Sequence, residues 1–165
     1  MKRLLVILSA LMLTACTPLV VQQAGKPDVT FSGPRLGPDA FVSFDGTRLG
    51  LTTWQAVTPE PKAVLIGVHG MNDYANAFHQ LAPYLAERGV TTYAYDQRGF
   101  GRSPDRGVWG GDDLMTEDLR TIVALARSRH PGVPVIVAGE SMGGAVTIEA
   151  FASDRPPAAD RVVLL

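Results

Sequence analysis

From residue 40 onward, short continuous apolar runs alternate with stretches of helical periodicity, and that alternation leaves few architectures open. Ala63 to Val68 and Pro134 to Ala138 read as strands buried on both faces, Val90 to Tyr95 is strand-like again, and Arg161 to Leu165 starts a further strand. Between them lie helical patterns. Tyr74, Phe78, Leu81 and Leu85 follow Asn72-Asp73, which read as caps, and end at Gly89. Leu119, Ile122, Val123 and Ala126 mark a second face that stops at Pro131, and Met142 to Ala152 forms a third helix. Upstream, Phe41 to Phe44 and Leu49 to Trp54 flank Asp45-Gly46 and predict a hairpin. A hairpin followed by strand–helix repeats predicts an α/β domain with a mostly parallel central sheet and helices on both faces. In such a sheet the site lies outside the carboxyl ends of the strands. That rule selects His69-Gly70-Met71-Asn72, Asp96 to Ser103, and Gly139 to Gly144.

Composition narrows the function. The 165 residues amount to one domain of the usual size of about 100–200 residues. With 46% hydrophobic and 19% charged residues, the chain can bury a core. Lys and Arg total 15 against 16 Asp and Glu, which argues against a nucleic-acid surface. Cys16 is the single cysteine, so an intrachain disulfide and a Cys-based zinc site are excluded. His69, His79 and His130 lack the close paired spacing of metal ligands, so no metal and no cofactor is expected.

Residues 1–16 read as an export address. Lys2 and Arg3 precede an apolar run from Leu4 to Leu13, half the length of about 20 residues that a spanning helix needs. Leu13-Thr14-Ala15-Cys16 resembles the lipobox of bacterial lipoproteins, which implies cleavage before Cys16 and its acylation. The expected location is the bacterial cell envelope, lipid-anchored, facing the periplasm or in an outer membrane. Residues 17–39, rich in Pro and Gly, read as an extended flexible tether, and residues 40–165 as the globular part.

Gly139-Glu140-Ser141-Met142-Gly143 is a G-x-S-x-G pattern set between a predicted strand and a predicted helix, the context of a nucleophile elbow. A sharp turn there is tolerable only if Gly139 and Gly143 carry no side chain. It projects the Ser141 hydroxyl above the sheet edge, with the positive end of the following helix beneath it. The plain alternative is a glycine-rich turn with an incidental serine. His69 precedes the serine, so it reads as a histidine bonded to nearby backbone rather than as a general base. His79 and His130 read as structural or solvated. Asp96 to Ser103 reads as scaffold at the rim, tied by an Asp–Arg pair; its glycine spacing does not suit a dinucleotide.

Val68-His69-Gly70, Asp96-Gln97-Arg98-Gly99-Phe100-Gly101-Arg102-Ser103 and Gly139-Glu140-Ser141-Met142-Gly143-Gly144 together resemble the α/β-hydrolase superfamily, in its monoacylglycerol lipase and lysophospholipase branch. The resemblance covers about residues 40–165. It implies Ser141 as nucleophile and the backbone N–H groups of Met71 and Met142 as an oxyanion hole. Gly70 would let the first of these loops approach the substrate. The implied reaction is hydrolysis of carboxylic esters, such as monoacylglycerols or lysophospholipids, through an acyl-enzyme. The same scaffold serves serine aminopeptidases, and a non-catalytic envelope lipoprotein that binds through a hydrolase scaffold is the reading from another class. Family members carry an acid and then a histidine after the nucleophile. Here no histidine follows Ser141, so the expectation is a chain lacking its final strands, and residues 1–165 alone are expected to be inactive.

Overall fold

The computed structural model describes residues 20–165. Among them a sheet of seven strands has the order β1-β2-β3-β5-β4-β6-β7. β1 (Arg35–Leu36), β2 (Ala40–Val42) and β3 (Arg48–Trp54) run antiparallel as a meander, and β3 pairs antiparallel with β5 (Val90–Tyr95). β5, β4 (Ala63–Val68), β6 (Val135–Gly139) and β7 (Arg161–Leu164) are mutually parallel. The expected mostly parallel sheet is therefore present, with α1 (Leu81–Ala86) on one face and α2 (Asp112–Arg129) and α3 (Met142–Ala152) on the other.

Alternation along the strands builds two cores. Val64, Ile66 and Val68 of β4, Tyr93 and Tyr95 of β5, and Val135 and Val137 of β6 face α2 and α3, meeting Leu119, Ile122, Val123, Ala126, Val146 and Ala150. Leu65, Ala94 and Ala138 point the other way, onto Ala75, Phe78 and Ala82. Each large aliphatic side chain buried in this way contributes about 1.5–3 kcal/mol relative to exposure.

The helix expected from Tyr74 to Leu85 is instead a 3-10 turn (Ala75–Phe78) followed by α1. Its buried positions are Ala75, Phe78 and Ala82, whereas Tyr74 and Leu81 are exposed. The cause is tertiary. The Asp96 carboxylate at the end of β5 accepts the Ala75 N–H at 2.8 Å and starts the turn there, while Asn72, read as a cap, sits at a φ of +61°. Phe78 in turn needs Gly67, since a Cβ on Gly67 would lie 2.7 Å from the Phe78 ring. Gly67→Ala is expected to destabilise the domain by about 1–3 kcal/mol. In urea denaturation the loss should shrink in the Gly67→Ala/Phe78→Leu pair, because the two positions share one contact.

The tether expectation is also corrected. From Val20 on, the segment is extended, as its Pro and Gly dictate, but it lies on the domain. Val21 bridges Trp109, Gln22 N–H donates to Trp109 O at 2.8 Å, and Gly25 N–H donates to the Asp45 carboxylate at 2.6 Å. Arg35–Leu36 adds a strand, so the sheet begins before residue 40. An extended segment carries unspent backbone donors, and carbonyls offered by a neighbouring loop satisfy them. Two residues are too few for a strand pattern to show in sequence. The export address and Cys16 lie outside the described residues, among which no helix is long and apolar enough to cross a membrane.

Candidate active site

β4 and β6 are neighbours, with Val68 opposite Gly139, yet the chain leaving β4 passes to the α1 face and the chain leaving β6 to the α3 face. The crevice where such connections part is the binding position of an open parallel sheet. Gly70 and Ser141 meet there: a Cβ on Gly70 would stand 3.4 Å from the Ser141 Cβ.

Ser141 has φ +49° and ψ −112°, is exposed, and immediately precedes α3. A non-glycine residue held in such a region stores about 1–3 kcal/mol of strain. The surroundings enforce it. A Cβ on Gly139 would fall 2.6 Å from Gly143 O and from Thr147 Oγ1, and one on Gly143 would run into the carbonyls of Val68 and His69. The turn is therefore pressed against the end of β4, and Thr147 Oγ1 donates to Gly143 O at 2.7 Å to hold its first helical turn. Among the described residues, neither Met71 N–H nor Met142 N–H is spent on a hydrogen bond, and the Ser141 hydroxyl has no partner. The latter N–H belongs to the positive end of α3.

His69 is fully buried. Gln97 N–H donates to its Nε2 at 2.9 Å, which leaves Nδ1 as the protonated nitrogen, donating to Gly70 O at 2.8 Å. Both nitrogens are engaged in shaping the loop, as expected of a structural histidine. Gln97 Nε2 adds a bond to His69 O at 2.7 Å. His130 pairs with the Tyr93 hydroxyl at 2.9 Å, and His79 is exposed, its Nδ1 2.8 Å from Asn76 O. No cluster of three or more His, Cys, Asp or Glu that could hold a metal ion occurs among the described residues.

Burial lowers the pKa of both His69 and His130, for His130 with help from Arg129. The folded state thus resists protonation that the unfolded chain accepts near 6.5. The stability these imidazoles contribute is present above that pH and lost as pH falls below it. Urea midpoints are expected to drop between pH 7.5 and 5.5, with a shallower drop in His130→Gln.

The loop from Asp96 to Ser103 is scaffold, and it is tied by two sets of ion pairs, one on Asp96 and one on Arg98. The Asp96 carboxylate accepts the N–H groups of Ala75 and Arg102 and the Arg102 guanidinium at 2.9 Å, and Ser103 Oγ donates to Asp96 O at 2.5 Å. Arg98, 1% exposed, bonds Asp118 through Nε at 2.7 Å and Nη2 at 2.8 Å, and Asp45 through Nη2 at 3.0 Å. Burial pushes the Asp118 carboxyl up to about 6 against the pull of Arg98 and Ser43. At Asp45, burial is outweighed by Arg98 and by the N–H groups of Gly25 and Thr47, and its carboxyl falls to about 2. The sequence did hold a signal for this network. Asp118 lies on the apolar stripe of α2 between Met115 and Ile122, and a carboxylate placed there requires a cationic partner.

A strained, exposed serine between a parallel strand and a helix, facing a glycine loop at the point where the strand order reverses, defines an α/β-hydrolase. Comparison with known proteins agrees. Residues 59–165 match the family described as serine aminopeptidase, S33 (Hydrolase_4), and the chain belongs to that family, in its monoacylglycerol lipase-like branch. It is 36% identical over 108 residues to a monoacylglycerol lipase of Mycolicibacterium smegmatis, covering 65% of this chain and 38% of the relative. It is 31% identical over 134 residues to human monoglyceride lipase, covering 76% and 44%. The solved structure of a soluble variant of the Saccharomyces cerevisiae monoglyceride lipase superposes with a TM-score of 0.58 at 25% identity, over 76% of this chain and 42% of that one. The chain thus spans less than half the length of these relatives.

Proposed function

We propose that the protein hydrolyses carboxylic esters of the monoacylglycerol or lysophospholipid class through an acyl-enzyme on Ser141. The carrying observation is Ser141 itself: an exposed hydroxyl without a partner, held in a strained turn whose glycines admit no Cβ. The two unspent N–H groups, of Met71 and Met142, would receive the oxyanion, each such donor being worth about 2.7–4 kcal/mol in the transition state. Gly70, Gly139 and Gly143 support that geometry by keeping β4, β6 and α3 in close approach. The second reading is a serine aminopeptidase, favoured by the description of the matched family. The third, a hydrolase scaffold used only for binding, rests on the engagement of His69, His79 and His130 with partners other than Ser141.

One experiment separates the three. The complete gene product is treated with a fluorophosphonate and then assayed on monoacyl esters and amino-acid amides. Labelling at Ser141 with ester turnover supports the proposal, amide turnover favours the peptidase, and an unlabelled Ser141 overturns both catalytic readings. Residues 17–165 alone are expected to turn over little aryl ester, since His69, His79 and His130 bond to groups other than Ser141; a large Ser141-dependent rate would assign the role of base to His69 or His79. In the same reading Cys16 is the acylated N-terminus, which places the domain on the outside of a bacterial membrane.

A further inference from the structure

The segment that leads away from Cys16 reaches the globular domain at one defined place. Gln22, 8% exposed, clamps the loop ahead of α2: its N–H donates to Trp109 O and its Nε2 to Val108 O at 2.9 Å, while Val21 bridges Trp109. A Cβ on Gly99 would stand 3.3 Å from Gln22 Nε2, so the strap seats against the loop that also carries Gln97, whose side chain holds the His69 carbonyl. This loop follows the carboxyl end of β5, and α2 runs from it back toward the opposite edge, where β6 begins. The strap is thus fastened at a shoulder of the edge that bears Gly70 and Ser141.

Chain length then restricts orientation. Val21 stands five residues beyond Cys16, and five steps of roughly 3.3–3.6 Å reach at most about 18 Å. We infer that, on the proposed reading of Cys16 as the acylated residue, the strap turns the start of α2 and the Ser141 edge toward the bilayer, so that the site draws its ester from the membrane to which the chain is tied. A freely hinged tether of residues 17–39 could leave any face toward the lipid; a strap pinned at Gln22 and Gly25 cannot. The shoulder is not itself a lipid-binding surface. Asp112, Asp113 and Glu149 cluster there, and partial burial together with repulsion from Asp112 and Asp113 holds the Glu149 carboxyl above its ordinary range. These carboxylates repel anionic headgroups within a Debye length of about 8 Å. The orientation therefore comes from tether reach and does not depend on charge attraction.

The test uses the complete lipoprotein in vesicles of phosphatidylethanolamine and phosphatidylglycerol. With the Cys16 thiol alkylated, an engineered cysteine is the one free thiol among these 165 residues. Asp113→Cys and Ser128→Cys place a fluorophore at the two ends of α2, separated by 15 residues or about 22 Å along the axis. Energy transfer to an acceptor lipid is expected to be clearly greater from position 113, and to persist at raised salt, which only screens the repulsion between the carboxylates and the headgroups. Inserting a ten-residue Gly-Ser segment between Pro18 and Leu19 is expected to remove the difference. The same insertion should lower turnover of a vesicle-embedded monoacyl ester while leaving a water-soluble short-chain ester unaffected. Equal transfer from both positions in anchored protein overturns the orientation and leaves the anchor standing. Protein that carries no lipid label and stays off the vesicles overturns the anchor and the orientation with it, while labelling of Ser141 by fluorophosphonate still reads the esterase assignment separately.

Discussion

On the proposed function, replacing Ser141 by alanine is expected to reduce ester turnover of the complete protein by about 10⁶-fold, the loss seen when a serine hydrolase forfeits its nucleophile, with no fall in melting temperature. The two halves of that expectation have separate causes. On that reading, loss of the hydroxyl removes the covalent route and leaves only what Met71, Met142 and the α3 terminus would provide for a water attack. Stability is untouched because the Ser141 Oγ makes no hydrogen bond that alanine would forfeit among the described residues, and alanine keeps the Cβ. The strain belongs to the backbone at φ +49°, which Ser141→Gly would relieve. That variant is expected to be inactive as well but more stable, by about 1 kcal/mol. Chemical denaturation of the three proteins side by side checks this. A glycine variant less stable than wild type would mean that the turn is not strained, and a Ser141→Ala protein with near-normal turnover would remove Ser141 from the chemistry.

Arg98→Met is expected to destabilise the domain by about 3–5 kcal/mol, the range for stripping one partner from a buried ion pair. That is a large part of the 5–15 kcal/mol that holds a typical domain together. The loss follows from what stays behind: Asp118 and Asp45, both nearly solvent-free, keep their carboxylates without the guanidinium that bridges them. Arg98→Lys should recover only part of it. The present contacts use Nε and Nη2 together on Asp118 and Nη2 on Asp45, a planar fork that a single ammonium cannot reproduce. The pH dependence gives an internal check. Without Arg98, burial raises the Asp118 carboxyl further above its unfolded pKa and Asp45 loses its main stabilising partner, so the missing stability should be largest near pH 7 and shrink as pH falls and Asp118 is protonated. Urea denaturation of Arg98→Met at pH 7.5 and 5.0 reads this directly. A deficit that grows on acidification would show that the carboxylates are not what the arginine neutralises. Because Asp45 also accepts the Gly25 N–H, the variant should additionally loosen the N-terminal strap, visible as faster amide exchange at Gly25.

Much of this architecture is legible in the order of the residues. β4, β5 and α3 fall where their patterns predict, because β4 is continuously apolar, β5 is a run rich in β-branched and aromatic residues, and a glycine-flanked serine between strand and helix suits few turns besides an elbow. The identity of the loops at the active edge follows from the same alternation, since parallel strands send all their following connections to one end. Where the fold departs from the pattern, a distant group has intervened. The helix expected from Tyr74 breaks into a 3-10 turn and a short helix because Asp96, 21 residues away in sequence, captures the Ala75 N–H. The expected free tether is a strap because Gln22 finds the carbonyls of Val108 and Trp109, 86 residues distant in the first case. Arg98, a cation in a glycine loop with nothing local to mark it, joins Asp45 and Asp118 across three separate segments. The sequence by itself determined the period of each element, and with it the fold class and the position of Ser141, because side-chain periodicity and glycine's missing Cβ are local properties. Only the tertiary structure decided which donors meet which acceptors and which way the strap runs, because a hydrogen bond or buried ion pair depends on distances between segments that no local pattern records.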